Sequence, residues 1–105
     1  MTTPARIVAV STDLMDRSKL TAGLPGVEIV RPGPDLADRL VGADVIVVDL
    51  ALPGALADAV TTNARVLAYG SHVDDETLAT ARGAGAEAMP RSVFFRRIRE
   101  GGLLD

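Results

Sequence analysis

The run Asp44-Val45-Ile46-Val47-Val48-Asp49 sets the terms for the whole chain. Four apolar residues between two carboxylates leave no face for solvent, so the segment reads as a strand buried on both sides. Such a strand needs a covering layer above and below it, and in one small domain those layers are helices. Leu50-Ala51-Leu52-Pro53-Gly54 follows, and the Pro-Gly pair breaks any continuation. Asp49 therefore stands at the carboxyl end of a buried strand, where open α/β sheets place their ligands. That position makes it the first candidate functional group.

The rest of the chain repeats the pattern. Arg6-Ile7-Val8-Ala9-Val10-Ser11 reads as a first buried strand, and Thr12 or Asp13 caps a helix reaching about Ala22, with Leu14 and Leu20 available for packing. Val27-Glu28-Ile29-Val30 alternates and suits an edge strand. Pro32-Gly33-Pro34 breaks it, and residues 35–41 fit a short helix with Leu36 and Leu40 at i,i+4. Gly42 ends that helix. After Asp49, residues 55–61 fit another helix, and Arg65-Val66-Leu67-Ala68-Tyr69-Gly70 is the fourth apolar strand. Asp74-Asp75-Glu76 opens the next helix with acids, where the helix dipole favours them, and Gly83 and Gly85 end it. Glu87-Ala88-Met89 is a short fifth strand. Ser92 is expected to cap a last helix carrying Phe94 and Ile98 at i,i+4. Five β-α units with short connections argue a parallel sheet between helix layers. The flavodoxin-like strand order 2-1-3-4-5 is the expected topology, in one domain spanning residues 1–105.

Composition narrows the function classes. The chain is 48% hydrophobic with three aromatics, Tyr69, Phe94 and Phe95, so its core rests on Ala and Val. Net charge is −3, which gives no general pull toward nucleic acid or acidic membranes. The absence of cysteine excludes disulfides, a thiol nucleophile and thiolate metal sites. No signal-peptide pattern opens the chain, and no apolar run approaches the ~18 residues of a membrane span. A cytoplasmic protein is the expectation. Gly23-Leu24-Pro25-Gly26 precedes a strand rather than opening a helix, so it fails the dinucleotide fingerprint. Ser11 and Ser71 sit at strand ends outside any nucleophile-elbow sequence, and no enzyme activity is expected.

Three blocks now resemble the receiver domain of bacterial two-component response regulators. Asp44 to Gly54 resembles that family's strand, phosphoacceptor aspartate and Met-Pro-Gly block. Tyr69-Gly70-Ser71 stands where the family has its Ser/Thr. Ala81-Arg82-Gly83-Ala84-Gly85-Ala86, a short strand and then Arg91 resemble its A-x-x-A-G-A segment and following lysine. The resemblance covers nearly the whole chain. It implies a CheY-like fold with Asp49 in the phosphoacceptor position, surrounded by Ser11, Thr12, Asp13, Ser71 and Arg91.

The departures from the family carry as much weight. Its two Mg²⁺-binding acids after the first strand are replaced by Ser11-Thr12, with Asp13 one place late. Mg²⁺ demands near-ideal octahedral oxygen geometry, which Asp49 with a displaced Asp13 supplies poorly. Arg91 replaces a compact ammonium with a planar, permanently charged fork. Beside Asp49 it would pair with it; the carboxylate's other expected partners are backbone amides. The reading drawn is a stand-alone pseudo-receiver that acts through protein–protein contacts and holds no cofactor. One alternative is a phosphorylatable receiver, with Mg²⁺, Asp49 as acceptor and a rearranged acid site around Asp13. Another is a small-molecule binder using the strand-end crevice.

The remaining candidates have plainer readings. His72, the only histidine, is a loop residue or a neutral-pH sensor. Without a second histidine or any cysteine it makes no metal site. Asp74-Asp75-Glu76 is ordinary capping chemistry. Arg91, Arg96, Arg97 and Arg99 make a basic C-terminal helix, expected to be a solvated or partner-binding face and not a nucleic-acid one. By the resemblance, Phe95 with Arg96 and Arg99 is the expected partner or homodimer surface, with core packing as the other reading of Phe95.

Overall fold

Alternate residues of the central strands serve two different helix layers. In this computed structural model, which describes residues 5–104, the chain runs β1 (Ile7–Val10), α1 (Leu14–Gly23), β2 (Glu28–Val30), α2 (Leu36–Leu40) and β3 (Val45–Asp49). It continues through α3 (Ala55–Val60), β4 (Arg65–Gly70), α4 (Asp75–Gly83), β5 (Glu87–Pro90) and α5 (Arg91–Glu100). All strand pairs are parallel and the order is β2-β1-β3-β4-β5, as the sequence predicts. Val8, Val10, Ile46, Val48, Val66 and Ala68 face α2, α3 and α4 through Leu36, Leu40, Ala55, Ala59, Leu78 and Ala81. Ile7, Ala9, Val45, Val47, Leu67 and Tyr69 face α1 and α5 through Leu20, Phe94, Phe95 and Ile98. The period of two along each strand divides one sheet into two apolar faces.

The two ends of the sheet differ in chemistry. At the amino end, Arg6 pairs with Glu28 at 2.9 Å and donates to the Val41 carbonyl, while Arg65 pairs with Glu87 at 2.6 Å. These pairs tie edge strands to their neighbours. At the carboxyl end the strands finish on Ser11, Asp49, Ser71 and Arg91, so the sheet register alone gathers the candidate residues. Gly54, at φ +79°, takes the left-handed conformation that turns the loop after Asp49 into α3.

Several local expectations change. Leu14 is 76% exposed, whereas Leu20 is fully buried. Six positions along a helix rotate ~240°, so the two leucines never shared a face. The buried face of α1 runs through Asp16 and Leu20 to Gly23. Asp13 is the cap, its carboxylate accepting the Asp16 N–H at 2.9 Å. The last helix begins at Arg91, with Pro90 in the cap position, so Ser92 lies inside its first turn. Phe94 and Phe95 are both buried. Among the described residues no helix is long and apolar enough to cross a membrane.

Gly23 sets how closely α1 approaches α5. A Cβ at this position would overlap the Cγ2 methyl of Ile98, a branched side chain stiff at χ1. Gly23→Ala is therefore expected to lower stability by about 1–2 kcal/mol, since overpacking outweighs the small helix-propensity gain. In an Ile98→Ala background the same change should cost little. Equal losses in both backgrounds, by urea denaturation, would show that the close approach is not the cause.

Candidate functional site

The carboxyl ends of β3, β4 and β5 enclose a crevice of about 480 Å³. Asp49, Ser71 and Arg91 line it together with His72, Asp74 and Thr77. Ser11 and Thr12 do not line it. Three of the six expected site residues thus share one cavity, and Asp13 acts on Asp49 through its charge.

Asp49 is half-buried, and its Oδ1 accepts the Ala51 N–H at 2.9 Å. Burial raises its carboxyl above the ordinary aspartate value. The Ala51 hydrogen bond opposes that rise and the Asp13 carboxylate adds to it. No arginine partner offsets these effects. The expected Asp49–Arg91 pair does not form; the backbone amide is the partner Asp49 has.

Arg91 reaches the other way. Its guanidinium donates to Asp16, a carboxylate with no solvent exposure beneath α1. The Tyr69 hydroxyl donates to the other oxygen of that carboxylate at 3.1 Å. Arg91 also stands 5.4 Å from the Tyr69 ring centre and 5.2 Å from that of Phe95, within cation–π range. Tyr69 is fully buried, and burial above all pushes its phenol far up, so it stays a neutral donor. Sequence reasoning missed Asp16. The available signal was its place four residues before Leu20, on the face α1 buries, where a carboxylate requires a cation.

The remaining candidates fall into different environments. Ser11 is fully buried; its N–H donates to the Val30 carbonyl at 3.1 Å, and its Oγ has no hydrogen-bond partner. Thr12 is exposed. Asp13 is occupied as the α1 cap. Among the described residues no three His, Asp or Glu side chains gather as metal ligands. The carboxylates expected to serve Mg²⁺ are thus Asp49, half-buried, and Asp13, engaged at the start of α1. Ser71 Oγ accepts the Val73 N–H at 3.4 Å and stays exposed at the crevice mouth. Asp74 caps α4 by accepting from Thr77, and those hydrogen bonds hold its carboxyl below the usual range.

The expected partner surface needs one correction. Phe95 is only 8% exposed and packs against Tyr69 and Phe94 with ring centres 5.1 and 5.0 Å away. It is core, because the register of α5 turns positions 94, 95 and 98 to the sheet. Arg96 and Arg99 are exposed. Arg99 and Lys19 edge a groove of about 560 Å³ between α1 and α5, with Phe95 and Ile98 beneath.

No protein-family model and no curated protein matches the chain. Solved structures do. A de novo designed Rossmann 2x3 protein has a TM-score of 0.72 at 16% identity, over 97% of this chain and 95% of its own. A response regulator from Hahella chejuensis has a TM-score of 0.66 at 22% identity, over 91% of each chain. The BeF3-activated DrrB receiver domain has a TM-score of 0.68 at 18% identity, over 92% of this chain and 96% of its own. At such identities the likeness is one of fold. The chain has the receiver-type, CheY-like architecture, and a designed protein shares it as closely as natural receivers do.

Proposed function

We propose that this chain is a receiver-like regulatory domain of the cytoplasm. It acts through protein–protein contacts, and Asp49 stands outside the ordinary Mg²⁺-dependent phosphorylation cycle. One observation carries the reading: the cation in the family's lysine position is committed to Asp16 instead of Asp49. Phosphoryl transfer to a carboxylate depends on neutralising the charge of the incoming group. Here the metal-binding acids are replaced by a buried serine and an exposed threonine, and Arg91 already has a buried partner.

Its working surface is the α1–α5 side, with Arg96, Arg99 and Lys19 presented to a protein partner or a second copy of the chain. Nucleic acid and membrane are not its partners, and it is not an enzyme. The second reading, a working phosphoacceptor, draws support from Asp49, Ser71 and Arg91 sharing one crevice.

A backbone amide NMR titration separates the two. With millimolar Mg²⁺, then with beryllofluoride as a phosphoryl mimic, the amides of Asp13, Asp49, Ser71 and Arg91 are expected to stay still. Saturable shifts centred on those four would establish the phosphoacceptor reading and end the first one.

A further inference from the structure

Asp16 is the one carboxylate of the described residues that is fully buried, and neither the fold nor the receiver resemblance asks for it. It lies in the first turn of α1, and its two oxygens are shared between Arg91, 75 positions away, and Tyr69, 53 positions away. These three groups come from α1, α5 and β4, so the contact exists only in the folded chain. Arg91 also lines the crevice that holds Asp49. Its side chain is 43% exposed, so one face sees the buried carboxylate and the other the crevice.

We propose that Asp16 is a positioning residue: by holding the Arg91 guanidinium beneath α1, it keeps that cation from pairing with Asp49 and leaves the crevice carboxylate unneutralised. A cation given two carboxylates within reach pairs with the one that loses most when left alone. A carboxylate cut off from water loses more than one that can be resolvated. Asp16 is fully buried and Asp49 only partly so, and Asp16 wins. The buried Ser11 hydroxyl at the end of the neighbouring strand is neutral and brings no charge that could replace Arg91. The inference rests on reading the Asp49 crevice as a receiver-type site. Its test uses neither metal nor phosphoryl mimic, so the two fail separately.

The experiment follows the Asp49 carboxyl carbon by NMR through an acid titration of the full chain. Asp13, His72 and Asp74, the other titrating groups at this end of the sheet, are followed in the same spectra. In Asp16→Asn, Arg91 is released toward Asp49, and the Asp49 midpoint should fall by about one to three pH units. In the double variant Asp16→Asn with Arg91→Gln the fall should vanish, leaving Asp49 as in the parent. A merely structural Asp16 would leave Asp49 unmoved in the single variant, and that result overturns the proposal. So does a fall that persists without Arg91. Where Asp16→Asn does not fold, Asp16→Ser removes the same carboxylate and carries the same expectation, and the double variant tests the converse. An Asp49 midpoint above the parent's would mean that Arg91 had served Asp49 all along.

Discussion

Arg91→Gln is expected to destabilise the fold by about 3 kcal/mol, and adding Asp16→Asn is expected to recover most of that loss. Removing one partner of a buried ion pair leaves the other charge uncompensated, which typically costs ~3–5 kcal/mol. The low end applies because Arg91 is 43% exposed while Asp16 is not exposed at all. Glutamine keeps part of the side-chain length and can donate one hydrogen bond, but it brings no charge. The Tyr69 hydroxyl remains as a neutral donor at 3.1 Å, too little for a carboxylate without water. The order of the single losses is the informative part. Asp16→Asn should cost clearly less than Arg91→Gln, since a freed Arg91 reaches solvent or Asp49 and an asparagine can still accept from Tyr69. Urea denaturation of the parent, both single variants and the double gives the coupling directly, expected at ~1–3 kcal/mol. Additive losses would mean that the two side chains do not act as a pair in solution.

This cluster also marks how far the sequence could be read. The strand from Val45 to Asp49 was legible because four apolar residues between two acids admit one placement, and the other strands fell into order around it. Asp49, Ser71 and Arg91 could be brought to one crevice because parallel strands end on the same side. Two things were not legible. The choice of Arg91 between carboxylates depends on burial, which is a property of the packed molecule. The face of α1 was assigned from Leu14 and Leu20, when the helical period joins Leu20 to Asp16. An aspartate on an apolar stripe reads as an error in the stripe until its cation is found. Phe95 illustrates the converse. The receiver resemblance grouped it with Arg96 and Arg99 as a surface, yet the spacing of Phe94, Phe95 and Ile98 already described a buried face.

That correction has a large consequence. Phe95→Ala, the substitution that a surface role for Phe95 would invite, is expected to act on the fold itself, lowering stability by about 3–5 kcal/mol. The ring is 8% exposed, contacts Tyr69 and Phe94, and has Lys19 Nζ 5.1 Å and the Arg91 guanidinium 5.2 Å from its centre. Its loss removes apolar burial and both cation contacts together, and a domain of this size has only about 5–15 kcal/mol in all. The melting temperature should fall by roughly 15 °C or more. Any loss of self-association or partner binding in Phe95→Ala then reports unfolding and says nothing about a surface. Arg96→Ala and Arg99→Ala are the proper probes. Both side chains are exposed, so each should leave stability within about 0.5 kcal/mol while changing association, if that face does the work. Thermal denaturation alongside sedimentation of all three variants distinguishes the cases. A Phe95→Ala protein with the parent's melting temperature but altered association would return the ring to the surface and overturn its place in the core.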